Sequence, residues 1–169
     1  MDNMEEFHIP KEAYERLNDP ETVLKQIRDG VTFQEILGYD SSTMNKFYGA
    51  ASRLFDLQEY RKSADSFSFL TTMNPYVHSY WVGLGMSEQL DGEYADALLA
   101  YAMAVLTDVE NPIPHYHSAT CYKELGELED GIDALQMTIE YAGGNKQYSQ
   151  LKEHAQSLKL RWENLRRNK

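Results

Sequence analysis

The sequence predicts an all-α fold made of stacked pairs of antiparallel helices. Large and small residues recur at a period of 34 residues, as in Phe47 and Trp81, or Tyr60 and Tyr94. A final segment carries one apolar stripe at helical spacing, as expected for a helix that covers the end of such a stack. These two observations divide the chain of 169 residues into an N-terminal segment (1–43), a repeat region (44–145) and a C-terminal capping helix (146–169).

The N-terminal segment is expected to contain one or two short helices. Asp19 is followed by proline, and this pair predicts the start of a helix over 20–29, because aspartate is a favoured N-cap and proline suits the first helical position. Thr32, with a glutamate three residues later, predicts a capping box and a second short helix. Ser41 or Ser42 is expected to cap the first helix of the repeats.

The repeat region is expected to hold three units of 34 residues, at 44–77, 78–111 and 112–145. In the middle unit, small residues such as Gly85 and Ala97 allow two backbones to approach, and large residues such as Trp81 and Tyr101 fill the holes opposite. Gly92 is expected to end the first helix in a left-handed cap. This pattern resembles the tetratricopeptide repeat and predicts a short superhelical solenoid of three such units.

The C-terminal segment is expected to form one longer helix. Its apolar residues follow 4-3-4-3 spacing along the chain: Leu151, Ala155, Leu158, Trp162 and Leu165. It contains seven basic and two acidic residues, a local charge of +5. Because the net charge of the whole chain is −11, the remaining residues carry a net charge of −16. We interpret this basic face as solvated and as favourable near a helix C-terminus.

Composition excludes several classes of function. The net charge of −11 argues against nucleic acid and against an anionic membrane surface, because both are bound through clustered basic residues. Cys121 is the only cysteine, so no disulfide forms within the chain and a reducing compartment is expected. The sequence has no secretory signal pattern and no run of 18 apolar residues.

No arrangement of residues predicts catalysis. His115 and His117 are two residues apart and therefore point to different faces of a helix, which does not suit a metal site. Gly83 and Gly85 are expected to permit close helix packing, since no strand or lysine accompanies them as in a phosphate loop. Cys121 has no evident activating base. We expect no enzymatic activity, no cofactor and no metal site.

The prediction that remains is peptide binding in the concave groove of the solenoid. The first helix of each unit lines that groove, and its second, fifth, ninth and twelfth positions are expected to face it: Asn45, Tyr48, Ser52, Phe55, Ser79, Val82, Met86, Gln89, Ile113, Tyr116, Thr120 and Lys123. Aromatic, aliphatic and neutral polar groups suit an extended peptide with apolar anchors. Some of these side chains could instead only pack against a neighbouring helix. Lys123 is the one charged residue in this set.

The chain resembles the class II chaperones of bacterial type III secretion, which are small acidic tetratricopeptide proteins. The resemblance runs from about residue 23 to 160 and rests on four stretches: 27–33, 67–70 with 80–85, 92–97, and 112–121. It implies a non-catalytic protein of the bacterial cytoplasm. Such a chaperone binds an extended segment of a translocator or another exported client and keeps that client soluble and competent for secretion.

The resemblance also implies a homodimer formed through the N-terminal helices. The apolar residues of those helices are the expected contacts: Val23, Leu24, Ile27, Phe33, Ile36 and Leu37. Two alternatives remain at this point: a generic tetratricopeptide adaptor or scaffold that binds a linear peptide of another partner, and, least favoured, an enzyme or metal protein. Neither a nucleic acid nor membrane insertion is expected in any of these cases.

Overall fold

The computed structural model describes residues 14, 15 and 17–167, and the predicted all-α fold is confirmed. Over these residues it contains nine α-helices, one 3-10 helix and no strand: α1 (Pro20–Arg28), α2 (Phe33–Leu37), α3 (Ser41–Asp56), α4 (Tyr60–Met73), α5 (His78–Asp91), α6 (Tyr94–Thr107), α7 (Pro112–Glu124), α8 (Leu128–Ala142), η1 (Lys146–Tyr148) and α9 (Ser149–Arg167). The parts of the terminal segments at 1–13 and 168–169 lie outside the described residues.

Two short helices precede the repeats, and their caps agree with the prediction. The Asp19 carboxylate accepts a hydrogen bond from the backbone N–H of Thr22 and so caps α1. Thr32 and Glu35 form a reciprocal capping box at the start of α2, with the Glu35 carboxylate 2.8 Å from the Thr32 backbone nitrogen. Helix α1 has no buried residue, so it lies on the surface of the molecule.

The cap of α3 differs from the prediction. Asp40, rather than Ser41 or Ser42, is the N-cap, and its carboxylate accepts a hydrogen bond of 2.7 Å from the backbone N–H of Thr43. Both serines lie within the helix. A carboxylate is the stronger choice because its full negative charge also interacts favourably with the positive end of the helix dipole.

The repeats appear as three antiparallel helix pairs, α3–α4, α5–α6 and α7–α8. The second helices of the pairs begin at Tyr60, Tyr94 and Leu128, which are spaced by 34 residues. Gly92 ends α5 with a backbone φ of 91°, the left-handed conformation that was expected there. Helix α3 begins at Ser41, three residues before the predicted start of the first unit.

Close packing within a pair and between neighbouring pairs depends on glycine, as the sequence predicted. A Cβ atom at Gly85 would lie 2.5 Å from the ring of Tyr101, which is fully buried. A Cβ atom at Gly83 would lie 2.4 Å from the ring of Phe67. The two rings therefore occupy space directly against the backbone of α5, and helices α4 and α6 approach it from either side.

Buried hydroxyl groups connect the first unit to the second. The Ser63 hydroxyl on α4 and the Ser87 hydroxyl on α5 are 2.9 Å apart, and both side chains are fully buried. Ser63 also donates to the backbone carbonyl of Ala51 on α3 at 3.1 Å. This Ser63–Ser87 bridge joins three helices and satisfies polar groups that would be costly if left unpaired.

The C-terminal helix α9 covers the last repeat. Ala155 and Trp162 are buried, and both belong to an apolar cluster with α7 and α8. The guanidinium of Arg166 forms an ion pair of 2.8 Å with Glu129 on α8. Among the helices that the structure describes, none combines the length and apolar character needed to cross a membrane.

Candidate peptide-binding groove

A cavity of about 360 Å³ lies between the first helices of the repeats. Helices α3 and α5 form its walls, α4 contributes to its floor and the start of α7 closes one end. Its lining is mostly apolar, with a small number of polar groups: Tyr48, Ser52, Phe55, Asp56, Phe67, His78, Ser79, Val82, Gly83, Met86, Asn111 and Ile113. A concave, mainly apolar site with few polar groups is typical of ligand binding.

The floor of the cavity consists of packed aromatic rings. Phe67 is almost fully buried and lies against the backbone of Gly83. The ring of Tyr48 meets Phe67 edge to face at a centroid distance of 5.7 Å, and it lies 5.9 Å from the ring of Tyr80. These contacts hold Tyr48 in a fixed position, so the apolar surface exists before any ligand binds.

His78 fixes the separation of the helices at one end of the cavity. The side-chain oxygen of Asn111 accepts from the backbone N–H of Ile113, which orients the amide so that its nitrogen donates to His78 Nε2 at 3.2 Å. His78 Nδ1 therefore carries the proton and donates to the carbonyl of Ala104 at 3.0 Å. His78 thereby ties α5 to the end of α6 and to the start of α7.

Seven of the twelve predicted groove residues line this cavity, and all belong to the first two units except one at the start of the third: Tyr48, Ser52, Phe55, Ser79, Val82, Met86 and Ile113. The remaining five do not line it. Asn45 is exposed on α3. The side-chain oxygen of Gln89 accepts a hydrogen bond of 2.7 Å from the hydroxyl of Tyr101, so Gln89 supports the packing of α5 on α6.

The predicted residues of the third unit are placed differently. The hydroxyl of Tyr116 is 2.9 Å from His154 Nδ1 on α9, so its side chain contacts the capping helix. Lys123, near the end of α7, pairs with the adjacent Glu124 at 2.9 Å. Thr120 is half-buried on α7 and does not line the cavity. Within the described chain, the cavity is therefore a feature of the junction between units one and two.

Five lining residues were not predicted: Asp56, Phe67, His78, Gly83 and Asn111. Asp56 follows Phe55 by one position and ends α3, while His78 begins α5. Asn111 is the N-cap of α7, and Phe67 comes from the second helix of its pair. Counting positions along the first helix of each unit does not identify residues at the helix ends. It also does not identify residues of the second helix, such as Phe67, whose side chains line the cavity.

The predicted dimer contacts fall into two groups. Val23, Leu24 and Ile27 lie on the surface helix α1, where Leu24 and Ile27 are exposed. Ile36 and Leu37 are buried within this chain, so they stabilise the N-terminal end of the solenoid and are not available to a partner subunit in this conformation. Phe33 packs against the core cluster that contains Leu37, but it is only half-buried and lines a cavity together with Ile27.

Two histidines and one cysteine lie outside the groove, and their packing against other side chains indicates a structural role. His115 stacks on Tyr141 at 5.1 Å and His117 stacks on Tyr101 at 5.5 Å, and burial lowers the pKa of both imidazoles. Cys121 is fully buried, and burial raises the pKa of its thiol to about 11. No cluster of three or more potential metal ligands occurs among the residues placed by the structure.

Comparison with known proteins gives both sequence and structural relatives. No protein-family model matches the chain. The low calcium response locus protein H of Yersinia pestis is 23% identical over 132 residues, which cover 78% of this chain and 79% of that protein. A type III secretion complex from Aeromonas hydrophila has a TM-score of 0.84 at 19% identity, over 88% of this chain and 99% of that chain.

Two further solved structures with a similar fold are complexes. The type III secretion chaperone SycD of Yersinia enterocolitica, in complex with a peptide of the translocator YopD, has a TM-score of 0.72 at 22% identity over 75% of this chain and 97% of that chain. The CopN–Scc3 complex has a TM-score of 0.74 at 28% identity, over 92% of this chain and 91% of that chain. The resemblance to the type III secretion chaperones is confirmed. None of the relatives named here is described as an enzyme, in agreement with the prediction of a non-enzymatic protein, and SycD has also been crystallised as a dimer.

Proposed function

We propose that the chain is a bacterial type III secretion chaperone that holds an extended segment of an exported client in the groove between α3 and α5. The apolar cavity at the junction of units one and two carries this proposal, because it is preformed and open to a ligand. A chaperone of the same fold, SycD, binds a peptide of a translocator. The client is a translocator or another exported protein, kept soluble until its secretion.

The groove is suited to a linear segment rather than to a folded surface. Phe55, Val82 and Met86 offer apolar contacts for one or two anchoring side chains. Ser52 and Ser79 line the same cavity and can bond to the backbone of an extended peptide. Binding of this kind covers an apolar part of the client without requiring the client to fold. The likeness to type III secretion chaperones favours this function over that of a generic adaptor.

The proposed chaperone acts in the bacterial cytoplasm, where its clients are made. It also forms homodimers, and the exposed apolar side chains of α1 are the contacts that the structure leaves available. Leu24 and Ile27 are the two to test. Replacement of both by glutamate should convert a dimer to a monomer in sedimentation experiments, because a buried interface does not tolerate unpaired charges.

The test of client binding combines Tyr48→Ala with Met86→Glu. We expect the affinity for a client peptide to fall at least about 100-fold, because an aromatic anchor is lost and a charge enters an apolar groove. Tyr76→Ala with Met103→Glu is the matched control, since both residues are exposed and neither lines the groove cavity. The client would first be co-purified from the native host, and its tiled peptides would then be titrated by fluorescence anisotropy.

Two controls separate binding from folding. Met86 also packs against a cluster that contains Tyr101, so helicity must be compared by circular dichroism before the affinities are compared. Tyr48→Ala alone is the second variant, because Tyr48 is only half-buried and its loss leaves Phe67 in place. Client affinity equal to that of the unmodified protein in both variants would contradict the proposed groove.

A further inference from the structure

The groove cavity contains one charged side chain, and it is acidic. Among the described residues that line it, Asp56 alone carries a charge, whereas the predicted Lys123 does not line the cavity at all. We propose that the groove selects client segments that carry a basic side chain next to the apolar anchor, and that Asp56 is the residue responsible for this selection. This inference rests on the proposed function and names the chemistry of its client.

Asp56 has no counterion within the part of the chain that the structure describes. No basic side chain among the residues that the structure places comes within 4.0 Å of its carboxylate. Arg61, near the start of the following helix, lies 4.0 Å from Asp65 and 3.9 Å from Asp91. Lys62 pairs with Glu59 at 2.9 Å. The carboxylate of Asp56 is therefore free to meet a cation supplied by a ligand.

The position of Asp56 is unfavourable for the free protein. It is the last residue of α3, where the helix dipole places partial negative charge, so a carboxylate there destabilises the helix by a small amount. A carboxylate that destabilises its own helix can still stabilise a complex if the bound ligand carries the opposite charge. A basic side chain bound beside Asp56 would interact with both the carboxylate and the end of the helix.

The surroundings of Asp56 determine what kind of segment would reach it. Phe55 precedes it in the wall of the cavity, and Val82 and Met86 face the same space from α5. A peptide whose apolar anchor fills this space brings a neighbouring residue to the exposed rim where Asp56 lies. The charge of −16 outside the C-terminal segment further favours the approach of a basic peptide over an acidic one.

The test uses labelled decapeptides with one fixed apolar anchor, leucine, and with lysine, glutamine or glutamate at each flanking position in turn. At low salt, the best lysine peptide should bind about five-fold more tightly than its glutamine counterpart, the upper range for a partly exposed ion pair. In Asp56→Asn this ratio should fall to about one, and a high salt concentration should reduce it in the unmodified protein.

Glu153→Gln is the matched control, because it removes one negative charge from an exposed site on α9. Its lysine preference should remain about five-fold, which separates a local effect from a change in net charge. The melting temperature of Asp56→Asn should equal or exceed that of the unmodified protein, as expected for relief of an unfavourable helix end.

Three results would overturn the inference. Equal affinity for lysine and glutamine peptides in the unmodified protein would do so while leaving the groove itself intact. A lysine preference that survives in Asp56→Asn would assign the selection to another residue. If none of the peptides binds and tiled peptides of a co-purified client do not bind either, the proposed function fails together with this inference.

Discussion

One added methyl group at Gly85 should destabilise the fold, because the residue packs directly against a buried ring. Its Cα faces the ring of Tyr101, and a Cβ atom would lie 2.5 Å from that ring. Tyr101 is fully buried, its ring stacks on His117, and its hydroxyl donates to Gln89 at 2.7 Å. The ring is therefore held on several sides and has little room to move away.

The change Gly85→Ala has two opposing contributions. Alanine favours the helical conformation over glycine by about 1 kcal/mol. Overpacking against a buried ring costs about 3 kcal/mol, the upper end of the usual range, because the ring cannot relax. The net effect is a loss of about 2 kcal/mol, which corresponds to a fall of about 4–8 °C in melting temperature for a chain of this size.

Gly49→Ala is the matched control because Gly49 lies within α3 and no atom would approach its Cβ within 4 Å. It should gain about 1 kcal/mol from helix propensity alone, raising the melting temperature by about 2–4 °C. Thermal unfolding followed by far-ultraviolet circular dichroism would measure both variants. Gly85→Ala combined with Tyr101→Leu should cost less than the sum of the single changes. A melting temperature for Gly85→Ala at or above that of the unmodified protein would refute the packing argument.

Two further predictions concern buried titratable groups. Burial lowers the pKa of His115 and His117, so near pH 6 the unfolded chain takes up protons more readily than the folded chain does. The contribution of the two neutral imidazoles to stability is therefore complete above about pH 6.5 and is lost as the pH falls. The melting temperature should fall between about pH 7 and pH 5, and it should fall less in His117→Asn. A slope unchanged in that variant would exclude His117 as the cause. Cys121, with its pKa raised to about 11, should react with a thiol reagent at mildly alkaline pH only after unfolding, and rapid reaction of the folded protein would contradict its burial.

The fold could be predicted from the sequence because its packing is encoded in pairs of large and small residues. Gly85 and Tyr101 form one such pair, and their contact follows from the repeat itself. Glycine at 92 and the capping box at Thr32 mark helix ends through local chemistry alone. The predicted N-cap of α3 was wrong by one or two residues, since Asp40 and the two serines after it are all acceptable caps.

The groove could be predicted only in part. Positions counted within a repeat describe how one helix faces its neighbours, and Tyr48, Val82 and Met86 line the cavity as this counting expects. Tyr116 does not line it and contacts His154, because its surroundings depend on where the capping helix α9 packs. The same limit applies to the N-terminal helices, where an apolar face indicates burial but does not identify what covers it.

The Ser63–Ser87 bridge has a consequence for the order in which the molecule opens. In a linear array each unit contacts only its neighbours, so opening begins at the ends and spreads inward. The bridge joins the two units that also form the walls of the groove cavity. Transient fraying of α9 would therefore leave the cavity walls on α3 and α5 in place, and amide hydrogen exchange should be slowest on either side of the bridge.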